Sequence, residues 1–293
     1  MNGYEKEYRL GLYEKALPAG MTLPRKLVCA AECGFNWLEL SVDETEERLA
    51  RLEWTAAERR ALAEEMFASG VPISTMCLSG HRKYPIGSED DTVRARGMDI
   101  LQKAVHLAAD LGIRIIQLAG YDTYYEPSTE RTRALFSENL RRCVEIAARA
   151  GVILAFETME TPFLDTVQKA MRYVEAMDSP FLQVYPDVGN LTNAAHGDAA
   201  AVRADLLCGR GHIAAVHLKE SAPGIYRDLV AGEGHVDFSA AIRTAYELGV
   251  RMFTAELWCR DDGWRQNVEA TGSRFAALLD RAANTGARSE AVR

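Results

Sequence analysis

Several common functional signatures are absent from this sequence of 293 residues. It contains neither GxGxxG nor GxxxxGK followed by Ser or Thr, which weakens dinucleotide-binding and P-loop interpretations. No apolar run approaches the roughly 18 residues of a transmembrane helix, so no membrane association is expected. The first ten residues, MNGYEKEYRL, lack the apolar segment of a signal peptide, so we expect a cytoplasmic protein.

Paired cysteines and an excess of positive charge are also missing. None of the six cysteines belongs to a CxxC pair, and most lie in apolar surroundings, as is typical of reduced thiols in the cytosol. The chain has 34 Lys and Arg residues against 42 Asp and Glu residues, so its formal net charge is −8. An acidic surface argues against non-specific binding to nucleic acid, although it leaves room for a local basic pocket that binds a small anion.

Apolar runs of strand length alternate with amphipathic helical segments along the chain. Eight strands are predicted: Leu10–Tyr13, Trp37–Val42, Ile73–Ser79, Ile113–Ala119, Val152–Thr158, Leu182–Val188, Ile213–Lys219 and Phe253–Trp258. Helical patterns separate them, for example Thr55–Ser69, Glu89–Leu111, Ser128–Ala150, Asp198–Cys208 and Phe238–Leu248. Glycine, which tolerates the left-handed helix cap, precedes several of the strands: Gly34, Gly70, Gly112, Gly151 and Gly249.

This alternation predicts an α/β fold, namely a TIM (β/α)8 barrel that forms a single domain over residues 1–293. Near-continuous apolar strands imply a parallel sheet covered by helices, and eight such units favour a closed barrel. A doubly wound open sheet is the alternative. The tail after about residue 281 lacks apolar periodicity, so we expect it to fray.

Four consecutive predicted strands end on polar residues. The runs VILAFE and LQVYPD end at Glu157 and Asp187, whereas IAAVHLK and FTAELW place His217 and Glu256 near their ends. Parallel barrels carry their active sites at the carboxyl ends of the strands. Three carboxylates there would lose hydration and repel one another without a counter-charge. The sequence therefore predicts one divalent metal ion bound by Glu157, Asp187, His217 and Glu256.

A second histidine, His212, competes with His217 for the role of metal ligand. It precedes His217 by five residues, so at about 3.3 Å per residue it would lie roughly 16 Å lower in the same strand. We therefore interpret His212 as structural. Three oxygen ligands and one imidazole suit Zn²⁺, Mn²⁺, Mg²⁺ or Co²⁺, so ligand type does not select the metal. Lys219 shares the parity of His217 and is either a ligand for a substrate oxygen or a rim lysine in a surface salt bridge.

Long segments of the chain resemble a known family of carbohydrate epimerases. They extend from about Leu10 to about Arg281 and read GLYEKALP, LSVDETEERLARLEW, CLSGHRKYPIGSEDDTVRA, IQLAGYD, YPDVGNL, HIAAVHLK and GEGHVDF. The family is that of the L-xylulose 5-phosphate (L-ribulose 5-phosphate) 3-epimerases of bacterial L-ascorbate and pentose utilisation, also labelled hexulose-6-phosphate isomerases. It is similar to the wider xylose isomerase-like TIM barrel superfamily. One departure is Glu220, which stands where the family often has Asp.

The resemblance implies an isomerase that interconverts L-xylulose 5-phosphate and L-ribulose 5-phosphate, and it places a metal at the same four residues. Epimerisation at C3 removes the proton next to the C2 carbonyl and returns one to the opposite face, which requires two bases. We hypothesise that Glu157 and Glu256 are this catalytic pair and act through a metal-stabilised enediolate. The alternative is a 3-epimerase or aldose–ketose isomerase that acts on another ketose or a hexulose 6-phosphate.

A phosphorylated substrate requires an anion site. Lys15 follows the first predicted strand, and the backbone amides at the start of the helical segment near Gly87 could also face the anion. The basic residues His81 and Arg82 follow the third strand, and Arg94 lies on the second turn of that helical segment. We predict that Lys15, His81, Arg94 and Lys219 bind the substrate, with a small ketose phosphate as the partner.

Two other functional classes fit the sequence less well. A phosphodiesterase resembling endonuclease IV would be expected to use a multi-metal cluster rich in histidine, but the chain has only six histidines. A non-catalytic sugar-binding module would not need two opposed glutamates. No organic cofactor is expected. A homodimer is compatible with the sequence, although nothing in the spacing demands it.

Overall fold

The computed structural model describes residues 6–260 and 262–290, with side chains to residue 284. Eight parallel strands form one sheet: β1 (Arg9–Tyr13), β2 (Trp37–Val42), β3 (Ile73–Leu78), β4 (Ile115–Ala119), β5 (Ile153–Glu157), β6 (Leu182–Tyr185), β7 (Val216–Lys219) and β8 (Met252–Glu256). Strands β1 to β6 pair in sequence order, and β8 pairs with both β7 and β1. Two isolated parallel bridges close the remaining seam between β6 and β7. The predicted barrel is confirmed, and the open-sheet alternative is wrong.

Helices surround the barrel. In chain order they are α1 (Leu23–Glu32), α2 (Glu46–Leu49), α3 (Ala56–Ser69), α4 (Asp91–Leu111), α5 (Glu130–Ala150), α6 (Val167–Met177), α7 (Val188–Ala194), α8 (Ala199–Cys208), α9 (Phe238–Glu247) and α10 (Trp264–Glu290). Short 3-10 helices follow β1 (Glu14–Ala16), α2 (Ala50–Glu53) and β3 (Ser79–Arg82). No helix of the described residues is long and apolar enough to cross a membrane.

Helix ends follow the local signals in the sequence. Thr55 and Glu58 form a reciprocal capping box at the start of α3. Gly70 and Gly112 end α3 and α4 with φ values of 69° and 72°, where a side chain would be strained. These caps turn the chain sharply into β3 and β4, and they fix where each strand begins.

Two layers of buried side chains support the barrel. The main apolar core fills the space between the strands and the surrounding helices. Inside the barrel, a small apolar cluster around Tyr185 lies among buried polar residues, including Glu39, Thr75 and Gln117. Buried polar groups need hydrogen-bond partners, so these polar side chains inside the barrel are expected to bond to one another or to groups at the mouth of the barrel.

A buried ion cluster fixes the chain just after β1. Glu14 is fully buried, and its carboxylate accepts hydrogen bonds from Arg48, Arg51, Lys26 and the backbone amide of Ser41. Burial raises the pKa of Glu14. Arg51, Lys26 and Arg48 together lower it by more, so the pKa of Glu14 is lowered overall. The charged cluster joins the 3-10 helix after β1 to α1 and α2, and so it positions the residue that follows Glu14 at the mouth.

The C-terminal helix is longer than the sequence pattern indicates. The backbone of α10 remains helical to Glu290, beyond residue 281, where fraying is predicted. Backbone hydrogen bonds of a helix are local and do not require apolar periodicity. The fraying expected after residue 281 stays a prediction about mobility, since the described backbone there is helical. Residues 291–293 lie outside the described part of the chain.

Candidate metal centre and active site

The carboxyl ends of β5 to β8 bring four predicted ligands together. Glu157 is the last residue of β5, and Asp187 follows β6, where it forms an isolated bridge with His217 of β7. Glu256 ends β8 opposite Lys219. Ligand atoms of Glu157, Asp187, His217 and Glu256 all lie within 4.8 Å of one another, and the four residues are buried. The prediction that these residues converge at the barrel mouth is confirmed.

The two nitrogens of His217 face different partners. Nδ1 points toward the carboxylates, at 2.8 Å from Glu256 Oε2, 3.5 Å from Glu157 Oε1 and 3.9 Å from Asp187 Oδ2. On the other side of the ring, Nε2 donates to Glu39 Oε1 at 2.6 Å. A carboxylate behind a ligating imidazole fixes its orientation and leaves the other nitrogen for the metal.

Sequence reasoning missed Glu39, which lies in the middle of β2. Its carboxylate also accepts hydrogen bonds from Thr75 Oγ1 at 2.5 Å and from the Tyr185 hydroxyl at 3.0 Å. Thr254 contacts the same hydroxyl at 2.5 Å. The available signal was a charged residue inside the otherwise buried strand WLELSV, which requires a specific partner. Glu39 and its partners form the floor that holds His217.

Lys219 is the predicted substrate residue that lies beside the cluster. Its Nζ is 2.8 Å from Asp187 Oδ2 and 3.9 Å from Glu256 Oε2, and its side chain is buried. Burial lowers the pKa of Lys219, but Asp187 and Glu256 outweigh burial, so the pKa is raised overall. Lys219 therefore remains an ammonium group, and the surface salt-bridge alternative for this residue is wrong.

The carboxylates repel one another when they share this volume. Burial, reinforced by Glu256, raises the pKa of Glu157, and burial raises that of Asp187 to about 8. Burial also acts on Glu256, but Lys219 and His217 outweigh it and lower the pKa of that carboxyl. Burial lowers the pKa of His217, yet Glu39 and Glu256 raise it well above its ordinary value. These opposed shifts identify a charge-strained cluster.

The donor set fits a divalent cation. Three carboxylates and the inward-facing Nδ1 of His217 converge without enough positive charge, since Lys219 is the one ammonium or guanidinium within 4.0 Å of these carboxylates among the described residues. A dication would relieve the repulsion and displace the proton from Nδ1. The cluster can therefore hold a metal ion, and oxygen and imidazole ligands are compatible with several of them.

A cavity opens above the cluster. Its lining is mostly polar, charged or aromatic and comes from the carboxyl ends of the strands and the segments that follow them: Tyr13, Lys15, Cys77, Ser79, Arg82, Glu157, Met159, Glu160, Asn190, Lys219, Tyr226, Arg227, Glu256 and Trp258. Of these, Asn190 and Arg227 are lining residues that the sequence did not identify as substrate contacts, whereas Arg82 is one of the basic residues noted after the third strand. Asn190 lies in the short helix α7 and Arg227 in the loop after β7, so only the folded structure shows that they line one cavity.

Of the residues predicted to bind an anion, the structure places some at the cavity and others away from it. Lys15 lines the cavity, where its Nζ forms an ion pair with Asp43 Oδ2 at 2.6 Å. Arg94 donates to the backbone carbonyl of Ser88 at 2.6 Å and pairs with Asp91, and it does not line the cavity. The first amides of α4 are capped by Asp90. The structure thus does not bring Arg94 or this helix start to the metal cluster.

His81 is turned away from the cavity into the protein. Its Nε2 lies 3.0 Å from the carbonyl oxygen of Gly97, so the neutral ring donates to α4. Burial lowers the pKa of His81 to about 4. The prediction that His81 binds the substrate relied on its position next to a strand end. The 3-10 helix after β3 instead directs its side chain away from the cavity.

His81 predicts a specific loss of stability in acid. The unfolded pKa is near 6.5 and the folded pKa is about 4, so the unfolded state binds more protons as pH falls through this window. The wild-type protein should lose roughly 3 kcal/mol from this residue between pH 6.5 and pH 4. His81→Gln keeps an amide donor and should remove that part of the slope. Urea unfolding of both proteins at several pH values measures the difference, and parallel curves would contradict the assignment.

Comparisons with a family model and with individual relatives place this chain in the same family. Residues 28–276 match the family model described as xylose isomerase-like TIM barrel. L-ribulose-5-phosphate 3-epimerase UlaE of Salmonella heidelberg (strain SL476) is 45% identical over 254 residues, which cover 86% of this chain and 88% of that relative. UlaE of Escherichia coli O157:H7 matches with the same identity and coverage.

Solved structures show the same architecture. D-psicose 3-epimerase in the presence of D-fructose superposes with a TM-score of 0.76 at 14% identity, covering 92% of this chain and 99% of that one. L-ribulose 3-epimerase gives a TM-score of 0.73 at 20% identity, with 97% of each chain covered. At these identities the likeness establishes the fold alone. Together with the relatives at 45% identity, the family match shows that this chain belongs to the xylose isomerase-like TIM barrel family and, within it, to the family of the L-ribulose-5-phosphate 3-epimerases.

Proposed function

We propose that this chain is a metal-dependent 3-epimerase that interconverts L-xylulose 5-phosphate and L-ribulose 5-phosphate. The observation that carries the proposal is the pair of buried glutamates, Glu157 and Glu256, which both face Nδ1 of His217 in one cluster. Relatives at 45% identity that are named for L-ribulose-5-phosphate epimerisation support the substrate. Free cysteines and a phosphorylated substrate support a cytoplasmic location.

The reaction requires a base on each face of C3. Glu157 lies on β5 and Glu256 on β8, so the two carboxylates approach the cavity from strands separated by β6 and β7. One carboxylate accepts the C3 proton, and the other donates a proton to the opposite face. In the reverse direction the two glutamates exchange roles. The placement of the two carboxylates on different strands supports inversion at C3 rather than simple exchange of the proton.

The remaining residues hold the substrate and exclude water. Asp187 and His217 would hold a divalent ion as ligands, and the ion would supply a Lewis acid for the negative charge that develops when C3 loses its proton. Glu39 keeps His217 in the orientation that such a ligand needs. The ammonium group of Lys219 is available to a sugar oxygen. Tyr13 and Trp258 meet edge to face, with ring centroids 6.1 Å apart, and wall off one side of the cavity.

A direct assay tests the proposal. We expect metal-loaded protein to convert L-ribulose 5-phosphate to L-xylulose 5-phosphate, with the C3 hydrogen replaced by deuterium in D2O. NMR of the sugar products distinguishes epimerisation from aldose formation, which would move the carbonyl to C1. Unphosphorylated L-ribulose and a ketohexose 6-phosphate provide matched substrates. Preferred turnover of either one, or an aldose product, would overturn the assigned reaction.

A further inference from the structure

Two guanidinium groups at the mouth have no role in the metal cluster. Arg82 ends the 3-10 helix after β3, and Arg227 lies in the loop after β7. These strands are four positions apart in an eight-stranded barrel, so the two side chains enter from opposite sides. Both nevertheless line the same cavity as Glu157, Lys219 and Glu256.

Arg82 is held in place by aromatic rings rather than by a close carboxylate. Its guanidinium carbon lies 4.8 Å from the ring centre of Tyr124 and 5.8 Å from that of Tyr121. Its Nε is shielded from solvent and has no hydrogen-bond partner among the described residues. Rings of this kind hold a guanidinium through contact with its face, which leaves Nε of Arg82 without a partner in the described part of the chain. Arg82 thus has a buried, unsatisfied donor beside the cavity, as expected for a ligand-binding group.

Glu160 lies between Arg227 and the two tyrosines that pack against Arg82. Its carboxylate accepts hydrogen bonds from Tyr121 at 2.7 Å and Tyr124 at 3.2 Å, and Arg227 Nη2 lies 3.9 Å away. Arg227 also lies over the ring of Trp258, at 5.9 Å. Two guanidiniums against one carboxylate leave net positive charge in this part of the cavity. An anion would balance it.

Lys15 is a weaker candidate for the same anion. Asp43 already occupies its ammonium group at 2.6 Å and is itself fixed by hydrogen bonds from Thr45. The pair is close to neutral, whereas Arg82 has no ion pair within 4.0 Å among the described side chains and Arg227 has only the long contact to Glu160. Charge balance therefore favours the arginines over Lys15.

We propose that Arg82 and Arg227 together bind the phosphate group of the substrate, so that they determine the preference for phosphorylated over free ketoses. The planar fork of each guanidinium suits phosphate oxygens, and two forks from opposite sides fix the phosphate while the sugar extends toward Glu157 and Glu256. The inference rests on the proposed epimerase function and assigns the substrate class within that same site.

The test compares a phosphorylated substrate with its free sugar. Arg82→Gln and Arg227→Gln should each raise KM for L-ribulose 5-phosphate by roughly 10- to 100-fold, because each removes a charge-assisted contact. For unphosphorylated L-ribulose, kcat/KM should change by less than about threefold, since that sugar lacks the group the arginines bind. Arg82→Lys should restore part of the loss, and Arg141→Gln, on the outer face of α5, is the matched control.

A binding measurement separates this inference from the proposed reaction. Calorimetry with inorganic phosphate should show binding to wild-type protein and a loss of roughly tenfold or more in affinity for both Gln variants. Unchanged phosphate affinity in both variants, or an equal loss of kcat/KM on phosphorylated and free sugar, would overturn the role of the arginines. Failure of wild-type protein to epimerise L-ribulose 5-phosphate, with phosphate binding still dependent on the arginines, would count against the reaction alone.

Discussion

Replacing either Glu157 or Glu256 with Gln should lower kcat for C3 epimerisation by about 10²- to 10⁴-fold, the range that general acid–base groups contribute. Glutamine keeps the size and one carbonyl oxygen of each side chain, but it cannot accept the C3 proton. Both residues are buried at the same cluster, so their loss should not open the site to water. Turnover is measured in both directions, starting from each epimer.

Solvent exchange distinguishes two bases from one. If each glutamate serves one face, Glu157→Gln should lose exchange of the C3 hydrogen with D2O for one epimer and retain it for the other. Glu256→Gln should show the reverse pattern. Metal content is measured in both variants, because each glutamate also belongs to the predicted ligand set. Glu145→Gln on the exposed side of α5 is the matched control, and full turnover in both active-site variants with metal bound would exclude the two-base scheme.

Removal of the metal should have an effect of comparable size. We expect chelated protein to lose at least about 99% of its activity, because no other group in the cavity provides an equivalent Lewis acid. Reloading with Zn²⁺, Mn²⁺, Mg²⁺ or Co²⁺ should restore it to different degrees, and the ranking assigns the working metal. Metal analysis should give about one ion per chain, whereas a phosphodiesterase cluster would bind several.

Metal binding should also be visible without any substrate. An ion at about 100 times its dissociation constant stabilises the folded chain by roughly 2.7 kcal/mol, which corresponds to a rise of about 5 °C in the unfolding midpoint. Asp187→Asn should reduce that rise, since it removes one charged ligand while conserving shape. Activity that survives complete chelation, together with an unchanged midpoint, would contradict the assignment of a metal cofactor.

The strands and the four clustered residues could be predicted because both depend on regular geometry. Parallel strands carry their ends to one rim, so Glu157, Asp187, His217 and Glu256 share that rim whatever the loops do. The same logic correctly separated His217 from His212. His212 precedes β7, and the neighbouring Ile213 bridges Val184 at the start of the β6–β7 seam, far from the cluster.

The loops could not be predicted in the same way. His81 follows a strand, yet the 3-10 helix turns it toward Gly97 and away from the substrate cavity. Arg82, the next residue, faces the cavity instead. A one-residue difference in a tight turn reverses the direction of a side chain, and no periodic pattern records it. Arg227 lies in a long loop whose path is set by contacts with distant residues, including Trp258.

The position of the metal centre at the seam between β6 and β7 suggests a structural role for the metal in addition to its role in the reaction. Elsewhere neighbouring strands pair through ladders of several residues, but at this seam the described residues show two isolated bridges, one of which joins Asp187 to His217. These are also two of the clustered ligands. A cation held between them would fasten the cylinder along its sparsest line of hydrogen bonds. Catalysis and the closure of the barrel at this seam would then depend on the same ion. Backbone amide protons beside the seam would exchange with solvent more slowly once the ion is bound.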